Sequence, residues 1–230
     1  MNLSKRLGAI ARLVPAGSRA ADIGTDHGYV PVWLIENGIC QSVYASDIRE
    51  GPLKKAIASA RQHGVYDKIR FSLSAGLDGC ASDEVDTIII AGMGGESMIE
   101  ILAAAPWAHG KKLILQPQTK IRQLRRWLHE NEYTVTGAQL VEDAGRIYLI
   151  WQVEAGKEPP LTPGDLYIDP KIERSGLLCV YIGAVVKNLS ARIAGLERAA
   201  APDEAELAFL VKARSELTEL RRELENAEGI

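Results

Sequence analysis

Hydrophobic residues in the first 156 positions follow two alternating patterns. Short, nearly unbroken apolar runs predict buried strands, whereas apolar residues spaced three or four positions apart predict helices. The clearest strand is VDTIIIAG, at residues 85–92. The patterns together predict strands at 19–24, 42–47, 68–74, 85–92 and 111–118, and helices at 3–14, 29–37, 50–64, 96–105 and 119–132.

The alternation of strands and helices stops near residue 133. Two strand-like runs, 134–143 and 146–156, are joined through Asp143-Ala144-Gly145, and no helix fits between them. This spacing predicts a β-hairpin. Alternating strands and helices followed by a hairpin predict an α/β fold, with a mostly parallel open sheet that ends in an antiparallel pair.

A proline- and glycine-rich linker at 156–165 separates this region from the C-terminal part of the chain. Beyond it, one helical stripe runs from Leu177 through Tyr181, Ala184, Val185, Asn188, Leu189 and Arg192 to Leu196. A second stripe runs from Leu207 to Leu220, with Asp203 as the expected N-cap. We therefore expect two domains, residues 1–158 and a C-terminal α-helical coiled-coil hairpin at 159–230.

Composition narrows the class of protein. The three cysteines are far apart in the sequence and form no CxxC pair, so neither a metal site nor a disulfide framework is expected. No window approaches the roughly 18 consecutive apolar residues of a membrane span, and we expect a cytoplasmic protein without a membrane partner. The net charge is −3, so any contact with nucleic acid would depend on local basic patches.

The stretch ADIGTDHGY, residues 21–29, places ionisable side chains between the first strand and the next helix. In open α/β sheets, ligands lie beyond the carboxyl ends of the strands, where a helix N-terminus offers free N–H donors. Asp47 ends the second strand about 20 residues later, where an acidic residue accepts hydrogen bonds from ribose hydroxyls. These positions predict an adenosine-containing ligand.

The charges in this stretch favour S-adenosylmethionine over a dinucleotide. Asp26 stands where a dinucleotide fingerprint has its second glycine, and Asp22, Asp26 and Asp47 would repel a pyrophosphate. The same carboxylates attract the sulfonium and ammonium groups of S-adenosylmethionine. Three simpler interpretations stay open: Asp22 caps the turn, Asp47 caps the following helix, and His27 is an ordinary turn residue. A metal hydrolase built on Asp22, Asp26 and His27 is disfavoured, because three adjacent turn residues rarely converge on one ion.

A second glycine cluster follows the fourth strand. Gly92, Gly94 and Gly95 would let a ligand or substrate lie against the main chain, or would simply form a tight turn.

Seven segments occur in an order that is similar to a known family: LSKRL, ADIGTDHGYVP, EGPL, DTIIIAGMGG, LILQPQ, LRRWL and EDAGRIY. Over residues 3–153 the chain resembles the bacterial tRNA (adenine-22-N1)-methyltransferases. The resemblance implies a Rossmann-like class I fold, S-adenosylmethionine as cofactor, and methyl transfer to N1 of adenine 22 in tRNA. One departure is Ser74-Ala75-Gly76-Leu77, which stands where the family has a GDGL-like segment.

The strand ends and the resemblance together identify candidate site residues. The cofactor-binding candidates are Asp22, Gly24, Thr25, Asp26, Gly28, Asp47, Ile48, Ala75, Gly76, Gly92 and Met93. We expect Asp26 to stabilise the positive charge that develops on adenine and His27 to shape the pocket. Alternatively, Asp26 binds the ammonium group of the cofactor.

N1 of adenine takes part in base pairing, so the target base must be unpaired or flipped out. Candidate RNA-binding residues are Lys5, Arg6, Lys120, Arg122, Arg125 and Arg126, and the simpler interpretation is a solvated helix face. The helical hairpin is expected to bind tRNA or, alternatively, a partner chain. Two other functions stay open: a non-catalytic RNA-binding or scaffold protein, and an NAD-dependent oxidoreductase.

Overall fold

The computed structural model describes residues 1–228, which form two compact units. The first unit contains residues 1–137 and 141–158, and the second contains residues 138–140 together with the chain from 159 onward. Ala138 forms an isolated parallel bridge with Ile172, which explains why residues 138–140 group with the second unit.

The first unit contains one seven-stranded sheet and five helices, and the segments predicted from the patterns are all present. The strands are β1 (Ser18–Ile23), β2 (Cys40–Asp47), β3 (Ile69–Leu73), β4 (Thr87–Gly94), β5 (Lys112–Thr119), β6 (Tyr133–Asp143) and β7 (Arg146–Ala155). The helices are α1 (Lys5–Arg12), α2 (Tyr29–Glu36), α3 (Glu50–Gln62), α4 (Gly95–Ala104) and α5 (Ile121–Glu130).

The strand order is β3-β2-β1-β4-β5-β7-β6. The first five strands of this order pair in parallel, and β5 pairs with β7 in antiparallel fashion. The turn between β6 and β7 has positive φ at both Ala144 (50°) and Gly145 (73°), as a two-residue hairpin turn requires. The structure therefore confirms the Rossmann-like sheet with a terminal hairpin.

The order of the strands reverses between β1 and β4. The chain moves outward from β1 to β2 and β3, then returns to β4 and moves outward in the opposite direction to β5. Because parallel crossovers are right-handed, α2 and α3 cover one face of the sheet and α4 covers the other. Ile88, Ile89 and Ile90 of β4 are fully buried in the centre, which accounts for the unbroken apolar run.

The second unit contains two long helices, α6 (Gly176–Glu197) and α7 (Glu204–Glu228). Asp203 Oδ1 accepts a hydrogen bond from Glu206 N at 2.9 Å, which confirms the predicted N-cap. The buried face of α6 is formed by Leu178, Ile182, Leu189 and Ile193.

The stripe predicted for α6 is therefore wrong. Of the residues in that stripe, only Leu189 is buried. Val180 lies on the opposite side and is 62% exposed. Apolar residues surround much of this helix, so periodicity alone could not select the packed face. By length and composition alone, α6 could also cross a membrane, although only 22% of its apolar window is buried. The expectation that no segment approaches a membrane span therefore does not hold for this helix by those two criteria.

Candidate active site

A cavity of about 730 Å³ lies within the first unit, at the carboxyl ends of β1, β2 and β4. This is the point where the strand order reverses, which is where open α/β sheets bind their ligands. Ten of the eleven candidate cofactor residues line the cavity; the exception is Gly28.

The turn after β1 is fixed to the neighbouring strand by two backbone hydrogen bonds. Gly24 N and Thr25 N both donate to Ser46 O, at 2.8 and 2.9 Å. Gly24 has a φ of +75°, and a Cβ atom at this position would lie 2.3 Å from Met93 Cε. The left-handed backbone therefore favours glycine, and an added methyl group would force the end of the Met93 side chain to move.

Two buried carboxylates, Asp22 and Asp47, form the floor of the cavity, with 6% and 4% of their surfaces exposed. Burial raises the pKa of Asp22 to about 6; the nearby Thr25 hydroxyl opposes this rise, and the negative charge of Asp47 adds to it. Asp47 Oδ1 accepts a hydrogen bond from Arg49 N at 2.8 Å and lies 3.6 Å from Arg49 Nε. A cation bound here would relieve the unfavourable burial of negative charge.

The Thr25 hydroxyl is a third polar group of the cavity floor, beside Asp22. Within residues 1–228, Thr25 Oγ1 is buried and has no hydrogen-bond partner of normal geometry. The hydroxyl also lowers the pKa of the Asp22 carboxyl, so it interacts with that group, and a ligand in the cavity could supply a better-formed hydrogen bond.

The exit of β3 carries the segment that departs from the family pattern. Ser74 Oγ lies 3.0 Å from Tyr44 Oη and 2.9 Å from Ser72 Oγ, so its hydroxyl already has partners. Ser46 Oγ donates to Gly76 O at 2.8 Å and so holds the loop after β3 against β2. Ala75 and Gly76 therefore present mainly backbone to the cavity, while Ile48, which is 71% exposed, adds an apolar surface beside Asp47.

The opposite side of the cavity is formed by β4, β5 and two helices. Gly92, with a φ of +82°, and Met93 line it as expected. Sequence reasoning missed Ser97, Glu100 and Ile101 of α4, which also line it. Their spacing places them on one helix face directly after the glycine turn, and this signal could have identified them.

Two candidate residues in the turn between β1 and α2, His27 and Gly28, do not line the cavity. His27 does not line the cavity within the described chain; its φ of 62° directs the chain into a left-handed turn, and its ring stacks on Tyr29 at 5.4 Å. Tyr29 lines the cavity instead. A Cβ atom on Gly28 would lie 2.9 Å from Ala56 Cβ, so this glycine allows α3 to pack closely and does not face the cavity. Asp26 does line it, and its side chain is 61% exposed, 3.6 Å from His27 Nε2.

The candidate RNA-binding residues differ in their exposure. Arg6 lines the cavity, whereas Lys5 and Arg126 are exposed outside it and Arg122 is half-buried. Lys120 is exposed and pairs with Glu96 at 3.0 Å.

Arg125 requires a correction, because it is only 1% exposed. Both terminal nitrogens of its guanidinium bond the carboxylate of Glu158, with Nη2 to Oε2 at 2.9 Å. This buried bidentate pair fixes the end of the first unit against α5, and it leaves Arg125 unavailable to RNA phosphates.

Comparisons with known proteins agree with this geometry. Residues 3–151 match the family described as methyltransferase domain. The tRNA (adenine(22)-N(1))-methyltransferase of Bacillus subtilis is 34% identical over 158 residues, which span 68% of this chain and 66% of that protein.

Solved structures extend the similarity to nearly the whole chain. A candidate tRNA (m1A22) methyltransferase from Streptococcus pneumoniae, solved in complex with S-adenosyl-L-methionine, has a TM-score of 0.80 and 31% identity, covering 96% of this chain and all of that one. The Bacillus subtilis m1A22 tRNA methyltransferase TrmK has a TM-score of 0.79 and 27% identity, covering 98% of each chain. The chain therefore belongs to the methyltransferase-domain family and, within it, to the bacterial tRNA (adenine-22-N1)-methyltransferases.

Proposed function

We propose that this protein transfers the methyl group of S-adenosylmethionine to N1 of adenine 22 in cytoplasmic tRNA. The observation that carries the proposal is the buried pair Asp22 and Asp47 at the switch point of a methyltransferase sheet. This arrangement attracts a cationic nucleoside and repels a phosphate-rich dinucleotide, which argues against the NAD-dependent alternative.

The residues of the cavity fit the proposed donor. Asp47 is placed to accept hydrogen bonds from the ribose hydroxyls, and the exposed Ile48 to cover the adenine ring. Asp22 would attract the ammonium group, and Thr25 Oγ1 would gain a hydrogen-bond partner of normal geometry. When bound, S-adenosylmethionine supplies an electrophilic methyl group on a positively charged sulfur.

The chemistry on the acceptor side requires little from the protein besides positioning. N1 of adenine holds an in-plane lone pair and no proton, so no general base is needed. Holding the lone pair in line with the methyl carbon lowers the barrier by several kcal/mol. Because adenine gains positive charge, a carboxylate at the rim, such as Asp26, would stabilise the product side of the reaction.

Replacing Asp26 by asparagine is expected to lower kcat about 10- to 100-fold while changing donor affinity less than threefold, because the charge acts on the adenine in the transition state. Single-turnover methylation and calorimetric titration with S-adenosylhomocysteine measure the two quantities. The opposite result, weak donor binding with normal single-turnover chemistry, would assign Asp26 to the ammonium group.

Donor affinity is expected to fall as the pH drops below about 6. The pKa of Asp22 is held at about 6 in the empty protein, so at pH 5 this carboxyl is mostly protonated and no longer attracts a cation. Binding is then linked to the release of a proton, and the affinity decreases by at most about tenfold for each pH unit below 6. Calorimetric titrations with S-adenosylhomocysteine between pH 5 and 8 measure this change.

The matched control for the pH experiment is Asp22→Asn. This variant should bind the donor more weakly above pH 6 and lose the pH dependence between 5 and 7. An identical pH profile in the two proteins would show that another group titrates.

Contact with tRNA would be supported by exposed cations near the cavity. Lys5 precedes Arg6 on α1. Lys120 lies at the start of α5, and Arg126 lies farther along the same helix. Phosphates bound by such side chains make affinity strongly dependent on salt.

The activity is tested by incubating the full-length protein with methyl-labelled S-adenosylmethionine and tRNA, followed by nucleoside analysis. We expect labelled 1-methyladenosine, and no label in a tRNA in which adenine 22 is replaced by guanine. Label in another nucleoside would contradict the position. Binding of tRNA without any transfer would favour a non-catalytic RNA-binding protein.

A further inference from the structure

Gln118 carries an uncommitted amide on the side of the cavity formed by β4 and β5. Its side chain is exposed and lines the cavity near the end of β5. A Cβ atom at Gly92 would lie 3.6 Å from Gln118 Nε2, so the missing side chain leaves open space beside the amide. In the part of the chain that the structure describes, this amide makes no hydrogen bond with another residue. Its oxygen and its nitrogen are therefore both available to a ligand.

Gln116, two residues earlier on the same strand, differs in both respects. It is fully buried, and its Oε1 accepts a hydrogen bond from Arg6 Nη1 at 2.7 Å. Its Nε2 donates to Pro117 O at 3.1 Å. Both halves of the Gln116 amide are used within the fold, so of these two glutamines Gln118 is the one that can contact a substrate.

Two consecutive irregularities in the pairing of β4 with β5 account for this difference. Gly92 is an extra residue in β4, and Gln118 is an extra residue in β5, with the pair Met93 and Pro117 between them. The extra residue of a β-bulge is left out of the ladder, and bulges next to active sites re-aim a side chain. The bulge therefore separates the direction of Gln118 from that of the buried Gln116.

The proposed methyl donor leaves this side of the cavity to the second substrate. Its ribose is expected at Asp47 on β2, whereas Gln118 lies on β5, three strands away. With neighbouring strands about 4.8 Å apart, this separation is about 14 Å across the sheet. The nucleoside of the donor therefore does not reach Gln118, and the acceptor base can lie there.

The acceptor base carries a hydrogen-bond donor next to the reacting nitrogen. The exocyclic amine of adenine adjoins N1, and positive charge spreads onto this amine when N1 gains a methyl group. Glutamine is one of the side chains that read the edge of adenine. Its neutral oxygen accepts a hydrogen bond without adding negative charge to a wall that already contains the carboxylates of Asp22, Asp26, Asp47 and Glu100.

We propose that Gln118 Oε1 accepts a hydrogen bond from the exocyclic amine of the acceptor adenine. This inference rests on the proposed function and names the side chain that recognises its substrate. The contact helps to place N1 in line with the methyl group of the donor. It also strengthens as positive charge develops on the base, so its main effect is on the rate of transfer.

The test compares two full-length tRNAs that differ by one group. One has adenosine at position 22, and the other has purine ribonucleoside, in which hydrogen replaces the amine and N1 keeps its lone pair. At a saturating concentration of the donor, Gln118→Leu should lower kcat about 10- to 50-fold with adenosine and less than twofold with purine ribonucleoside, because only the first substrate loses a hydrogen bond. The different intrinsic reactivity of the two bases cancels, since each tRNA is compared between the two proteins.

Gln118→Glu is the conservative variant. It keeps an acceptor oxygen at the same position, so it should retain the selectivity for adenosine that the leucine variant loses. Gln118→Ala removes the amide without adding an apolar group, and it replaces the leucine variant if thermal unfolding shows that Gln118→Leu does not fold.

The matched control is Gln62→Leu. Gln62 is exposed at the end of α3 and does not line the cavity, so this variant should leave both rates unchanged. Calorimetric titration with S-adenosylhomocysteine should give affinities within twofold of one another for the unaltered protein and the two leucine variants.

Three results would overturn the inference. Equal losses of kcat with both tRNAs would give Gln118 a structural role only. Weaker binding of S-adenosylhomocysteine with unchanged selectivity would assign Gln118 to the donor. Equally weakened binding of both tRNAs in a filter assay, again with unchanged selectivity, would assign it to the RNA backbone.

Failure of the proposed function gives a different result. If the unaltered protein does not methylate the tRNA with adenosine 22, the proposed function fails as well. If it does, and Gln118→Leu keeps the selectivity of the unaltered protein, the inference alone fails.

Discussion

An Asp47→Asn variant is expected to bind S-adenosylmethionine about 30- to 150-fold more weakly than the unaltered protein. The substitution keeps the shape of the side chain but replaces a charged acceptor oxygen with an amide donor. Hydrogen bonds to a charged group contribute about 2–3 kcal/mol, which corresponds to this loss of affinity. The site amplifies the effect, because Asp47 is 4% exposed and water cannot replace the lost acceptor.

The measurement is a calorimetric titration with S-adenosylhomocysteine, with Asp67→Asn as the control. Asp67 is exposed on the turn before β3 and does not line the cavity, so the same chemical change there should leave affinity unaltered. If Asp47→Asn binds as tightly as the unaltered protein, the carboxylate serves only its local contact with Arg49 N.

A Gly24→Ala variant is expected to lose about 100-fold in kcat/KM for methyl transfer. The added methyl would lie 2.3 Å from Met93 Cε, so either Met93 or the turn must move, and both line the cavity. A displacement of about 1 Å in a site that works by orientation costs on the order of 100-fold in rate. The φ of +75° adds about 1–2 kcal/mol of backbone strain.

A Gly38→Ala variant distinguishes the effect of backbone strain from the effect of steric crowding against Met93. Gly38 has a φ of +66° after α2, and a Cβ there would meet nothing within 4 Å. Both variants should therefore lose free energy of unfolding through backbone strain, measured by urea denaturation, but only Gly24→Ala should lose activity. Equal activity in the two proteins would mean that Met93 moves aside without disturbing the site.

The sheet and the floor of the cavity were predictable because they depend on local patterns. The apolar run of β4 and the glycine turn after β1 mark strand ends, and parallel strand ends meet at one edge of the sheet. The sequence alone therefore predicts that Asp22 and Asp47 lie close together. Ser97, Glu100 and Ile101 were not anticipated, although their helical spacing carries a usable signal.

The remaining errors come from contacts between distant residues and from turn geometry. Arg125 looks like a surface cation on an amphipathic helix, and only its pairing with Glu158, 33 positions away, shows that it is internal. His27 follows a carboxylate in a turn, and its positive φ, which the sequence does not reveal, places its ring against Tyr29. On α6, apolar residues on several sides left the packed face undetermined.

The buried pair of carboxylates has a consequence for protein turnover. Because burial disfavours the charged form of Asp22, a cationic ligand bound beside it would stabilise the folded chain. Occupancy then adds to the resistance of the whole chain against heat and proteases.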